Sequence, residues 1–151
     1  MGYSPIPRWQ EIAREIYTIS DEYPLLLTNG KEEAYIGSGY RNVVGLRSVR
    51  SAPIVEVHPE TAKQYGLKEG EWIYIETRKG RIRQALRFDP NLDPRVVFVA
   101  FGWWFPEKLS GVFEWQESNL NILTESGPPY DSMTGAVQIK GIPCKIYKAK
   151  V

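Results

Sequence analysis

Residues Ile54–Phe88, IVEVHPETAKQYGLKEGEWIYIETRKGRIRQALRF, decide the fold. Ile54, Val55 and Val57 read as the end of a buried strand. His58 stands at a helix start, with Pro59 at the first helical position, where its missing N–H costs nothing. Glu60 lies in the first turn, on the side of the helix dipole that favours negative charge. Gly66 ends the helix, and Leu67 supplies the apolar contact of a Schellman cap. Glu69-Gly70 is a turn, after which Trp72–Thr77 alternates with Ile73 and Ile75 on one face. Lys79-Gly80 turns a hairpin, and Ile82, Gln84, Leu86 and Phe88 continue the period of two. Strand, short helix, glycine turn and hairpin in this order predict a compact β unit.

The rest of the composition bounds what that unit can belong to. A chain of 151 residues fits one domain with a real apolar core. A net charge of +1 argues against a general nucleic-acid binder, which carries a basic excess. The single cysteine, Cys144, excludes internal disulfides and an iron–sulfur cluster built by this chain alone. It falls in an apolar run, where a buried, inert thiol is expected. No apolar run approaches the roughly 20 residues that span a bilayer. The N-terminus lacks the shape of a signal peptide.

Upstream of the central unit, Met1–Arg8 should be extended, and Trp9–Ile19 carries apolar residues at helical spacing. Residues 1–21 therefore read as an extension with a short helix, and 22–151 as the domain. Pro24–Thr28 is an apolar strand running into Asn29-Gly30-Lys31. From Ala34 to Val55 there is no acidic residue, while Arg41, Arg47 and Arg50 all fall inside, beside a turn around Gly45. Gly37-Ser38-Gly39 adds backbone N–H groups and a hydroxyl. That set suits an anion such as a pyrophosphate, and equally a solvated basic loop.

Downstream, Arg81, Arg83 and Arg87 form a row on the outward face of a strand, a solvated face. Val96–Phe101 is unbroken β-branched and aromatic sequence, the pattern of a strand buried on both sides. Trp103-Trp104-Phe105 at its end reads as core packing, an interdomain contact, or a ring-stacking site for a heterocycle or sugar. Glu117–Thr124, with Asn119 and Asn121, reads by itself as a capped helical turn. Val137–Ile146 closes the sheet. With one histidine and one cysteine, no catalytic triad or metal cluster can be assembled. His58 is already explained as a helix entry residue.

The run Pro59-x-x-Ala62-x-x-x-Gly66-Leu67-x-x-Gly70, followed by alternating apolars and Lys79-Gly80, resembles the C-terminal cofactor-binding domain of molybdopterin oxidoreductases. This is the dimethyl sulfoxide reductase family, which includes formate dehydrogenases and nitrate reductases. The resemblance runs from about Tyr23 to Val151. It implies a mainly β fold with short helices, a double-psi β-barrel of the aspartate-decarboxylase-like type. It implies that Thr28, Asn29, Gly30 and Lys31, with Ser38 and Arg41, form the first cofactor loop for a molybdopterin guanine dinucleotide. Arg41 is expected at the pyrophosphate, and Arg47 either there or pinning the loop to its own barrel. Glu117–Thr124 resembles the family's Asn-x-Leu-Thr segment, so Asn121, or the nearby Asn119, should meet the cofactor. The usual pattern has an arginine where Lys31 stands and a histidine where Gly37 stands.

In that family the molybdenum or tungsten ligand and the iron–sulfur cysteines come from other domains. The chain alone is therefore expected to be inactive, with no catalytic residue or metal of its own. Its partners would be the catalytic domains of a parent oxidoreductase, not nucleic acid or a membrane. Two rivals stand beside this reading. One is a double-psi barrel used for protein interaction, like the N-terminal domains of some ATPases. The other is a sugar-binding module using Trp103 and Trp104. The Gly37-Ser38 pair also matches the self-processing bond of aspartate decarboxylases, but nothing else in the chain does.

Overall fold

A computed structural model of the chain describes residues 6, 18–128, 130–131 and 134–149. The expected N-terminal helix lies outside the described residues. Six strands close into a barrel: β1 (Leu25–Gly30), β2 (Ile54–Val57), β3 (Trp72–Glu76), β4 (Arg81–Phe88), β5 (Val96–Ala100) and β6 (Ile142–Lys148). Their order around the barrel is β1-β5-β2-β4-β3-β6. β1 runs parallel to β5, and β2 parallel to β4, while the remaining neighbours are antiparallel. The two parallel pairs, each needing a crossover, give the expected double-psi barrel its interlocked form.

The core follows from the period of two. Leu25 and Leu27, Val55 and Val57, Ile73 and Ile75, Ile82 and Leu86, Val97 and Val99 all turn inward and are buried. Closure leaves no open sheet edge in the barrel wall. Cys144 of β6 sits in this core as a free thiol, and burial raises its pKa, so it packs rather than reacts.

Among the described residues two α-helices decorate the barrel: α1 (Val44–Val49) and α2 (Pro59–Gln64). In α2 the His58 Nδ1 accepts from the Glu60 N–H, as an N-cap should. Its far end closes with Gly66 N–H to Lys63 O at 3.1 Å and Leu67 N–H to Ala62 O at 2.9 Å, the Schellman pair. α1 was not expected. Its N-cap, Val43, offers no side-chain hydrogen bond, and no residue of the helix is buried, so no apolar periodicity announces it.

β5 also departs from the sequence pattern. Val97 and Val99 are buried, but Val96 and Phe98 are only partly covered, because a barrel wall takes alternate residues inward. The basic row of β4 faces outward as expected, yet it is paired rather than merely solvated. Arg83 binds Glu117, Arg87 binds Glu56, and Arg81 lies 4.8 Å from the Tyr74 ring.

The Arg83–Glu117 contact gives a pH prediction. Burial pushes the Glu117 carboxyl up, and hydrogen bonds from Lys108 and Arg83 outweigh it and hold the group at about 2. A folded pKa below the unfolded value of about 4.3 gives stability that is full above that pH. That contribution is lost as pH falls towards 2. Glu71 and Glu76 are lowered in the same sense, so the acid loss is shared. Glu117→Gln should reduce, not abolish, the slope of urea midpoint against pH between about 2 and 4. Superimposable slopes would show that Glu117 takes no part in it.

Candidate functional site

The end of β5 is the meeting point. Gly30, the last residue of β1, pairs with Ala100, and its carbonyl accepts the Phe101 N–H at 3.1 Å. The Phe101 carbonyl in turn accepts from Arg41 Nη2 at 3.0 Å. Gly102 then turns with φ +66°, and a Cβ there would lie 3.1 Å from Ser38 Cα. Only glycine permits both the left-handed backbone and that approach. Trp104 Nε1 donates to the Ser38 carbonyl at 2.6 Å, and the Trp103 carbonyl accepts from Asn119 Nδ2 at 3.4 Å. The strand-end loop, the Ser38–Arg41 turn and the asparagine segment are thus all tied to residues 100–104.

The asparagine segment forms two short 3₁₀ turns, Trp115–Glu117 and Leu120–Ile122. Asn119 caps the second, its Oδ1 accepting the Asn121 N–H at 3.0 Å, which is the capped turn read from the sequence. Both functions of the Asn119 amide are therefore engaged. Asn121 is exposed, and its side-chain amide has no partner among the described residues. The segment is seated against the β3–β4 hairpin, where Gly80 leaves room: a Cβ there would lie 2.9 Å from the Ile122 carbonyl.

Arg41 is not the exposed fork that its sequence neighbours suggest. It is fully buried, with its guanidinium 3.8 Å from the Tyr35 ring and 4.5 Å from the Trp103 ring. Its Nη2 also reaches the Gly37 carbonyl at 3.2 Å. Burial lowers its pKa, and no carboxylate pairs with it among the described residues. Arg47 binds both Glu107 oxygens at 2.9 Å, and Arg50 binds Glu32 at 2.8 Å. So carboxylates from outside the acid-free stretch neutralise two of its arginines. The loop is fixed to the barrel by Arg41 rather than by Arg47 alone.

Four buried side-chain nitrogens lack any hydrogen-bond partner among the described residues: Arg41 Nε and Nη1, Arg47 Nη1 and Trp103 Nε1. All four belong to one cluster, since both guanidinium groups lie against the Trp103 ring. Every one is a donor. Buried donors left unpaired are rare in a finished site, and a group of them calls for acceptors that the described residues do not supply. An anionic dinucleotide offers such acceptors, so the donor set fits this class of ligand.

At the strand end, Thr28 is half-buried, and Lys31 is exposed without an ion pair among the described residues. Asn29 is buried, and its Nδ2 donates to the Ile139 carbonyl at 2.6 Å. Sequence reasoning missed the Tyr35–Arg41–Trp103 stack and the role of Gly102. A glycine between a buried strand and a tryptophan pair was the available signal. Trp103 and Phe105 are buried and Trp104 leans on Phe113 at 5.3 Å, so the aromatic run forms no flat sugar platform. Among the described residues no cluster of His, Cys, Asp and Glu could hold a metal. Nor is any helix there long and apolar enough to cross a membrane.

Known proteins agree with this geometry. Residues 25–143 match the family described as "Molydopterin dinucleotide binding domain". The chain is 33% identical over 129 residues to a dopamine dehydroxylase of Eggerthella lenta, covering 85% of itself and 13% of that protein. It is 35% identical over 115 residues to an acetylene hydratase of Syntrophotalea acetylenica, covering 74% of itself and 16% of the relative. The solved structure of the acetylene hydratase from Pelobacter acetylenicus superposes with a TM-score of 0.84 at 28% identity. That superposition takes in 98% of this chain and 22% of the solved one. The chain thus spans under a fifth of the length of these curated relatives. With the barrel, the donor cluster and the sequence match in agreement, the chain belongs to the family of molybdopterin dinucleotide-binding domains, which hold this cofactor in molybdenum and tungsten oxidoreductases.

Proposed function

We propose that this chain covers and orients a molybdopterin guanine dinucleotide within an oxidoreductase of the formate dehydrogenase or dimethyl sulfoxide reductase type. The catalytic domains of that enzyme are its partners. The observation carrying the proposal is the cluster of unpaired buried donors behind the Ser38–Arg41 turn, tied to the ends of β1 and β5. When bound, the pterin holds the metal, and the two together supply the redox chemistry. The chain's residues supply position and charge. Thr28, Asn29, Gly30 and Lys31 present a hydroxyl, backbone groups and an ammonium at the strand end. Ser38 offers an exposed hydroxyl. Arg41 brings positive charge, and Arg41 and Arg47 bring spare donors, that phosphate oxygens can use. Asn121 offers an open carboxamide, a donor and an acceptor together, as a pterin or guanine edge requires. Asn119 acts by holding that segment, since its own amide is engaged.

The test is cofactor retention in the oxidoreductase that carries the domain. Asn121→Ala should leave stability within about half a kcal/mol, because the residue is exposed. It should weaken cofactor binding by about 1–3 kcal/mol, the loss of one or two hydrogen bonds to the ligand. Pterin and guanine nucleotide per enzyme are the quantities to measure. Arg81→Ala, remote from the cluster, should retain a full complement. Wild-type content in Asn121→Ala would remove that residue from the site, and an enzyme devoid of pterin would overturn the function.

A further inference from the structure

One face of the domain collects features that an isolated surface does not keep. Most of the exposed large apolar side chains among the described residues fall in two short segments, 36–49 and 109–115. Leu109 is 91% exposed, Val44 83% and Ile36 78%, the three highest values among the described large apolar residues. α1 lies in the first segment and has no fully buried residue: Leu46 packs half-buried on Tyr35, Trp103 and Phe105, while Val44 and Val49 stay exposed. Among the described residues the non-glycine positions with left-handed backbone, Tyr40 (φ 66°), Phe113 (φ 50°) and Glu114 (φ 45°), lie in the same two segments. Such conformations cost energy and persist where surroundings hold them.

The two segments form one surface. Trp104 bridges them, donating to the Ser38 carbonyl and packing its ring on Phe113. Arg47 of α1 is fastened to Glu107, and the Phe105 N–H to the Phe113 carbonyl at 3.0 Å. Ser38, Arg41 and Arg47 lie inside the first segment, so the apolar face adjoins the unpaired donors of the cofactor site.

We infer that this face, residues 36–49 with 109–115, is where the remaining domains of the oxidoreductase close over the cofactor. The inference rests on the functional reading above and adds the surface that does it. The occupant follows from the length comparison. The solved relative matches 98% of this chain but is covered over only 22% of its own length, so most of such an enzyme lies beyond this barrel. An aromatic and aliphatic surface rimmed by an arginine has the composition of an interface centre. A cofactor gripped on one side by Ser38 and Arg41 needs a second wall, and this face stands at its rim.

Hydrogen–deuterium exchange tests it, comparing the 151-residue chain alone with the oxidoreductase containing it, joined or as a subunit. Amides of 36–49 and 109–115 should exchange at least about tenfold more slowly in the enzyme, while the turn 89–94 at the far end of β5 should not change. The double variant Val44→Glu with Leu109→Glu should lose that protection, and Asn91→Glu should keep it. Equal exchange in chain and enzyme overturns the surface and leaves the cofactor function standing. Protection in an enzyme that yields no oxidised-pterin fluorescence overturns the functional reading, and with it the occupant. If the lone chain sediments as a dimer that the double variant splits, the occupant is a second copy and the inference fails.

Discussion

Trp103→Ala should destabilise the chain by about 3–5 kcal/mol, the range for truncating a fully buried large aromatic side chain. Trp103 is 0% exposed and is the largest side chain so enclosed among the described residues. Its ring stands perpendicular to that of Tyr35, with 5.7 Å between centroids, and both Arg41 and Arg47 lie over it. Truncation opens a cavity and also strips one of two aromatic contacts from a buried guanidinium that has no carboxylate partner among the described residues. A cation held in the corner of two rings at a desolvated site gains more from them than an exposed one does. Trp103→Phe should cost less, because a ring face remains. Urea unfolding followed by far-UV circular dichroism measures both. A loss below about 1.5 kcal/mol for alanine would mean that the stack collapses without penalty and is not part of the cooperative core. The same variant should speed exchange of the Arg41 turn, because that turn is fastened beneath the indole.

What the sequence made legible was what local chemistry controls. The helix α2 could be read because Pro59, His58 and Gly66 each act on their own neighbours, and all three behave as expected. The inward sets of β3 and β4 could be read because alternation needs no knowledge of partners. The helix α1 could not. Val44-Gly45-Leu46-Arg47-Ser48-Val49 carries no cap and no buried stripe, so its helical form answers to something beyond its own sequence. Arg41 shows the same limit in the site. Its place in an acid-free stretch marked it as a charge of interest. Whether it meets solvent, an anion or a ring depends on Phe101, sixty residues along, and on the corner formed by Tyr35 and Trp103. The asparagine pair lay between these cases. The capped turn was local and visible, but which amide stays open depends on the Trp103 carbonyl.

Gln84→Leu should cost about 3–5 kcal/mol, though leucine keeps the volume and suits the apolar alternation of β4. Gln84 occupies an inward position between Ile82 and Leu86 and is 0% exposed. A polar residue on the core face of an alternating strand is itself a sign of a special partner. Its Nε2 donates to the carbonyls of Ala100 and Ser118, each at 3.1 Å, and its Oε1 accepts the Ala100 N–H at 3.0 Å. The reason lies in the topology. β2 runs between β4 and β5, and its pairing begins at Ile54 opposite Ala85, preceded by Pro53, which has no N–H. Just there the Ala100 N–H and C=O would go unpaired, and the Gln84 carboxamide takes the place of a missing peptide. Leucine would strand three backbone groups in the core, and each unsatisfied buried group costs about 1–3 kcal/mol. Partial entry of water lowers the sum below the simple total. Gln84→Glu, matched in shape but unable to donate to both carbonyls as an anion, should also destabilise, and more at neutral than at acid pH. Its burial raises the introduced carboxyl's pKa, so the penalty shrinks as the group protonates. Equilibrium unfolding of the three proteins at pH 5 and pH 8 decides it. Leucine within about half a kcal/mol of wild type would show that β5 pairs without the carboxamide. It would also weaken the case that Gln84 sets the end of β5, on which Arg41, Ser38 and Asn119 all depend.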